Sequence, residues 1–237
     1  MENIKGLIFD YGGTLDTNAR HWAHVIWEGY QEARIPVSEE QFREAYVYAE
    51  RALAKAPIIL PTDNFRTLML KKLEIETQHL VEMGVWQTTV EERRRQSDIA
   101  AAYCYQYARR TVTDSRQTLL HLSQKFPMVL VSNFYGNIGT ILKDFGLEIF
   151  FPTVIESAVV GVRKPDPAIY QMGIDALGLP AENILIIGDS YDKDIVPAKK
   201  LGCKAVWMEG EGWTKEAVDR SLPDAIINRL SELEELL

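Results

Sequence analysis

Five short apolar runs rich in β-branched residues, divided by helical patterns, constrain this chain more than any other feature. They occupy residues 4–9, 127–131, 153–155, 184–187 and 205–208, and a weaker sixth lies at 225–227. The runs are continuously apolar instead of alternating, so both faces of each strand must be covered, as in a parallel sheet. Helical patterns at 114–124, 137–145, 167–176, 194–201 and 231–237 separate or follow them. This alternation predicts an α/β fold, a doubly wound parallel sheet between helical layers.

The stretch 17–110 does not share that rhythm. Trp22, Val25, Ile26 and Tyr30 recur on one helical face, with Asn18 as candidate N-cap. Ser38 and Gln41 form a capping-box pattern for a second helix running to about Leu53. Further helices are expected at 65–73 and 91–110. The reading is an all-α insertion, residues 17–110, placed between the first and second strands of a core made from 1–16 and 111–237. Its aromatics, Trp22, Trp27, Tyr30, Tyr46, Tyr48 and Trp86, sit at spacings that mean packing, with one or two expected at a cleft.

Charge narrows the partners. The 237 residues carry a formal net charge of −8, which disfavours a nucleic-acid surface or an anionic membrane. Cys104 and Cys203 are far apart and lack a metal-type spacing. No apolar stretch approaches the ~20 residues that span a bilayer, and the first strand starts within a few residues of Met1. A cytoplasmic protein, monomer or homodimer, is expected.

Chemistry concentrates where strands end. In Leu7-Ile8-Phe9-Asp10-Tyr11-Gly12-Gly13-Thr14-Leu15-Asp16 an apolar strand delivers a carboxylate into a glycine-rich turn. Backbone N–H groups of such a turn can hold an anion. Val131-Ser132-Asn133 ends a second strand in a hydroxyl and an amide. Val162-Arg163-Lys164-Pro165-Asp166-Pro167 supplies a cation, and Gly188-Asp189-Ser190-Tyr191-Asp192-Lys193-Asp194 two more carboxylates. Ordinary roles compete with each. Asp10 could cap its turn, Ser132 and Asn133 could stop a strand, Lys164 could be solvated, and Asp189 and Asp194 could cap a helix. Asp166-Pro167 reads as an N-cap followed by the first helical position. Asp16, His21 and His24 are either turn and packing residues or groups at the site entrance.

Taken in order, Asp-x-x-Gly-Thr-Leu, Ser-Asn, Lys-Pro-Asp-Pro and Gly-Asp-Ser with a further aspartate resemble the haloacid dehalogenase (HAD) superfamily. The likeness covers nearly the whole core, and the insertion falls where that superfamily carries a helical (C1-type) cap. The resemblance implies a Rossmann-like core and a Mg²⁺-dependent hydrolase acting on a small phosphorylated metabolite. Asp10 would attack phosphorus to form an aspartyl-phosphate. Mg²⁺ would be held by Asp10, the Gly12 carbonyl, Asp189 and Asp194, an oxygen-only set that suits it. Gly13, Thr14, Ser132, Asn133 and Lys164 would bind the phosphoryl group, Ser132 donating a hydrogen bond and Lys164 neutralising charge.

One position departs from the pattern. Phosphatases of the superfamily usually carry a second aspartate two residues after the nucleophile, as acid and base, and here that residue is Gly12. Losing a positioned acid–base group costs about 10²–10⁴ in rate. Four readings remain: a phosphate-ester hydrolase, a haloacid dehalogenase whose leaving halide needs no acid, a carbon–phosphorus hydrolase with Lys55 as cap lysine, and a phosphate-binding regulator.

Overall fold

Alternate residues of the central strands feed two different cores. Leu7 and Phe9 join Leu130, Leu185 and Ile187 on one side of the sheet, while Ile8 joins Val129, Val131, Ile184 and Ile186 on the other. The strands are therefore apolar throughout, as a two-sided sheet requires. In the computed structural model, which describes residues 1–213 and 217–237, six strands form one sheet. They are β1 (Gly6–Phe9), β2 (Met128–Ser132), β3 (Thr153–Glu156), β4 (Ile184–Gly188), β5 (Lys204–Met208) and β6 (Ala225–Ile227). Every pairing among them is parallel, in the order β3-β2-β1-β4-β5-β6. The order reverses at β1, so a crevice opens beyond the carboxyl ends of β1 and β4, the usual ligand position in such sheets.

Between β1 and β2 lie α1 (Trp22–Glu32), α2 (Glu39–Lys55), α3 (Phe65–Glu82) and α4 (Val90–Ser123). The Ser38–Gln41 capping box forms in full, with reciprocal hydrogen bonds of 2.8 and 3.3 Å. Three expectations are corrected here. The N-cap of α1 is His21, whose Nδ1 accepts from Ala23 N, whereas Asn18 sits earlier at φ 56 and bonds the Asn228 carbonyl. The third helix runs on to Glu82 instead of stopping near Leu73. Its later turns break the apolar period because Lys72, Glu76 and Thr77 are the buried positions there. Finally, the patterns at 91–110 and 114–124 are one helix of 34 residues, about 51 Å long at 1.5 Å per residue. The expected boundary at 110/111 falls inside it. Farther along α4, Ser115 Oγ donates to the Leu15 carbonyl at 2.8 Å, tying this helix to the loop after β1.

The remaining helices flank the sheet: α5 (Ile138–Asp144), α6 (Ser157–Val160), α7 (Ala168–Leu177), α8 (Val196–Lys200) and α9 (Leu233–Leu236). The N-cap position of α7 is Pro167, one residue later than the expected Asp166, whose Oδ1 still accepts from Ala168 N at 2.9 Å. Before α8, residues Tyr191–Ile195 form a single wide π turn. Pro197 has no N–H to donate to the carbonyl four residues back, and such turns recur at functional sites. Among the described residues no helix is long and apolar enough to cross a membrane.

Candidate active site

The crevice at the ends of β1 and β4 collects most of the chemistry-bearing residues. Asp10 leaves β1 with its N–H on the Ile187 carbonyl, 2.9 Å away, which extends the ladder by one residue and fixes the carboxylate's direction. Lys164 Nζ lies 2.5 Å from Asp10 Oδ1 and 2.8 Å from Asp194 Oδ1, joining carboxylates from two strand ends. Lys164 and Asp194 are buried. Thr14 Oγ1 donates to Asp189 Oδ1 at 3.0 Å and lies 3.4 Å from Asp10 Oδ2. Asp194 Oδ2 also accepts from Ser190 N, inside the π turn.

Three carboxylates thus converge, with one oxygen from each of Asp10, Asp189 and Asp194 within 4.8 Å of the others. Burial pushes the Asp10 carboxyl up despite Lys164. Burial, then the charges of Asp10 and Asp194, push Asp189 well up. Burial alone would lower the Lys164 ammonium, but Asp10 and Asp194 raise it. Like charges this close need a cation beyond one lysine, and an all-oxygen set fits a hard divalent ion. The residues present therefore fit a magnesium site.

Several predicted site residues use their polar groups on the protein itself. Gly13 adopts φ +97, a Cβ there would meet the Asp189 carboxyl at 2.3 Å, and its N–H goes to Asp16 Oδ1 at 2.7 Å. Asn133 spends both ends of its amide on the backbone of Lys164, at 2.9 and 3.1 Å, and so holds that loop in place. Ser132 is buried at the end of β2 beside the same loop. Gly12 differs, because a Cβ built there meets nothing within 4 Å. The missing side chain would project into open space.

Asp16 is buried, with Oδ1 on Gly13 N and Oδ2 on Trp22 Nε1 at 3.1 Å. Burial pushes its carboxyl up to about 7, yet both oxygens are occupied as acceptors, so it braces the loop. Tyr170 carries no signal in the sequence, where Ile169-Tyr170 looks like plain helical core. Its hydroxyl donates to Asp194 Oδ1 at 2.7 Å, and its ring centre lies 5.2 Å from Lys164 Nζ.

The family model for haloacid dehalogenase-like hydrolases matches residues 4–202, which hold β1 to β4 and all of the insertion. The chain belongs to that family. Among curated HAD relatives, a phosphoglycolate phosphatase of Pectobacterium atrosepticum is 28% identical over 97% of this chain and 91% of its own length. A glyceraldehyde 3-phosphate phosphatase of Methanocaldococcus jannaschii is 38% identical over 39% of this chain and 40% of its own. A solved HAD hydrolase from Bacillus subtilis, bound to magnesium, superposes with a TM-score of 0.62 at 19% identity, over 100% of this chain and 99% of its own. This last likeness shows the fold. The expected superfamily and its α/β architecture are therefore the ones this chain has, and it is a HAD hydrolase.

The insertion brings further groups toward the HAD core. His21 lies against Tyr46 and Trp213, with ring centres 6.0 and 5.1 Å away. Burial, then the charges of Lys72 and Lys193, hold its imidazole down to about 4. With Nδ1 accepting from Ala23 N, it is a neutral cap residue. His24 reaches the Gly212 carbonyl at 3.0 Å. Lys55, weighed above as a cap lysine, is exposed at the end of α2, whereas Lys72 of α3 is buried.

Proposed function

We propose that this HAD hydrolase is a magnesium-dependent phosphatase for a small phosphorylated metabolite. The observation that carries the reading is the convergence of Asp10, Asp189 and Asp194, with Lys164 joining the first and the last. Asp10, Asp189, Asp194 and the Gly12 carbonyl would hold Mg²⁺. When bound, the ion supplies charge neutralisation for an incoming phosphate monoester. Asp10 Oδ2 attacks phosphorus in line with the departing oxygen, and the P–O bond to the leaving group breaks as the aspartyl-phosphate forms. Water then attacks this phosphorus, returning the Asp10 carboxylate and releasing inorganic phosphate. Lys164 balances the charge on the transferring group, Ser132 donates a hydrogen bond to it, and Tyr170 holds Asp194 in position. Asn133, Thr14 and Gly13 keep the loops in register. The leaving oxygen receives no proton from position 12, so good leaving groups react fastest.

Residues 17–110 act as a cap over this site. Asn137 Nδ2 to the Asp63 carbonyl (2.9 Å) and Thr140 Oγ1 to the Pro61 carbonyl (2.6 Å) fasten the loop between α2 and α3 to α5 of the core. Relatives named as phosphoglycolate and glyceraldehyde 3-phosphate phosphatases support a phosphorylated substrate. A panel of phosphate monoesters, acetyl phosphate and 2-haloacids, assayed with Mg²⁺ and with EDTA, tests the reading. Phosphate release that EDTA abolishes and that Asp10→Asn eliminates is expected. Halide release surviving EDTA, or tight phosphate binding without turnover, overturns it.

A further inference from the structure

Lys72 and Glu50 form an ion pair in which the two partners face different surroundings. The Lys72 side chain keeps 4% of its exposure and lies beneath, its Nζ 4.2 Å from the centre of the Tyr46 ring, while the Glu50 side chain keeps 38%. Glu50 is therefore the solvent-facing member of the pair, with its charge countered from behind. The core closes in on that carboxylate from the other side, because the Tyr135 hydroxyl lies 3.2 and 3.3 Å from its two oxygens. Tyr135 stands three residues after Ser132, a chain reach of at most about 11 Å. Its neighbour Phe134 packs edge-on against Tyr11, 5.7 Å between ring centres, and Tyr11 follows Asp10 directly. Glu50 of the insertion thus touches the loop that follows Ser132 at the end of β2.

We propose that Glu50, backed by Lys72 and held by Tyr135, determines specificity by reading the leaving group, selecting phosphate esters of uncharged polyhydroxy compounds over esters that carry a carboxylate. The proposal rests on the phosphatase reading above. A carboxylate only accepts hydrogen bonds, so a leaving group with hydroxyl donors matches it and one that ends in a second carboxylate, which has no donor, does not. Because Lys72 already neutralises the pair, a hydroxyl suits it better than an ammonium group.

The experiment compares kcat/KM of the full chain on glycerol 3-phosphate and erythritol 4-phosphate with that on phosphoglycolate and phosphoethanolamine, with acetyl phosphate as reference. The expected result is at least a tenfold preference for the polyol esters, falling to within about threefold in Glu50→Gln. Each ratio is taken within one preparation, so partial loss of folded protein cancels. Should Glu50→Gln yield no soluble protein, Tyr135→Phe carries the test: it removes the hydroxyl that holds the carboxylate and lowers the same ratio severalfold. Turnover of acetyl phosphate with a preference for phosphoglycolate or phosphoethanolamine, or a ratio that the variant leaves unchanged, overturns the assignment of Glu50 alone. Failure to release phosphate from any ester, acetyl phosphate included, overturns the phosphatase reading itself.

Discussion

Adjacent glycines in the first catalytic loop are under opposite constraints. Gly13 has a left-handed φ and a Cβ there would meet the Asp189 carboxyl at 2.3 Å, so any side chain would drive that carboxylate away. Gly12 has free space where a Cβ would stand, and its φ is outside the left-handed range. Its lack of a side chain is therefore a chemical choice with no steric cause. Gly12→Asp should fold normally and restore a proton donor beside the leaving group. The expected gain in kcat on an alkyl phosphate, a poor leaving group, is about 10² or more, with a much smaller gain on acetyl phosphate. An unchanged alkyl rate, with Asp10→Asn still inactive, would mean that another group already delivers the proton. Asp16 is not that group, since both of its oxygens are committed to Gly13 and Trp22.

Among the helices, local signals and tertiary demands pull apart to different degrees. The entry to α2 obeys its local signal, with Ser38 and Gln41 satisfying each other's backbone N–H groups. Ser38→Ala removes one half of this box and should lower stability by about 1 kcal/mol, read as a shift of the urea midpoint with unchanged m-value and unchanged kcat. Loss of activity at constant stability would show that α2 carries more than a structural load. The entry to α1 ignores the local signal. Asn18 is held by Asn228 from the far end of the chain, and His21 caps instead, next to Trp22, which donates to Asp16. In α3 the apolar period fails from position 72 onward because buried Lys72 and Glu76 stand where leucines would be expected.

Across the whole molecule, the insertion has a polar interior as well as an apolar one. Glu76 is fully buried, accepts from the Tyr30 hydroxyl at 3.0 Å, and its other oxygen has no hydrogen-bond partner among the described residues. Burial pushes its carboxyl up to about 7, with Lys72 opposing and Glu50 reinforcing. A folded-state value above the ordinary 4.5 means that the folded protein holds this proton more tightly than the unfolded chain does. The resulting stability is complete below pH 4.5 and is lost as pH rises through 7, a swing on the order of 3 kcal/mol. Glu76→Gln keeps the Tyr30 hydrogen bond and should remove this part of the pH dependence, so that its stability advantage over the native protein grows from pH 5 to pH 8. Parallel stability curves for the two proteins across that range would refute the assignment.

The sheet, the insertion and the first members of the site were legible because each depends on residues near one another in the chain. Continuous apolar runs demand cover on both faces whatever surrounds them, and Asp10, Ser132, Lys164 and Asp189 follow such runs directly or at a short distance. Tyr170, the Glu50–Lys72–Tyr135 cluster and the unbroken α4 were not legible in this way. A buried lysine or tyrosine looks in sequence like a solvated or a packing residue, and only the partner that three-dimensional folding brings to it decides which charge is countered and which hydroxyl is used. The chain order alone determined an α/β sheet with a carboxylate at its switch point. The packing of the loops that follow the strands decided what the carboxylate faces, bringing Lys164, Thr14 and Asp194 to Asp10, because burial and pairing are properties of the assembled interior.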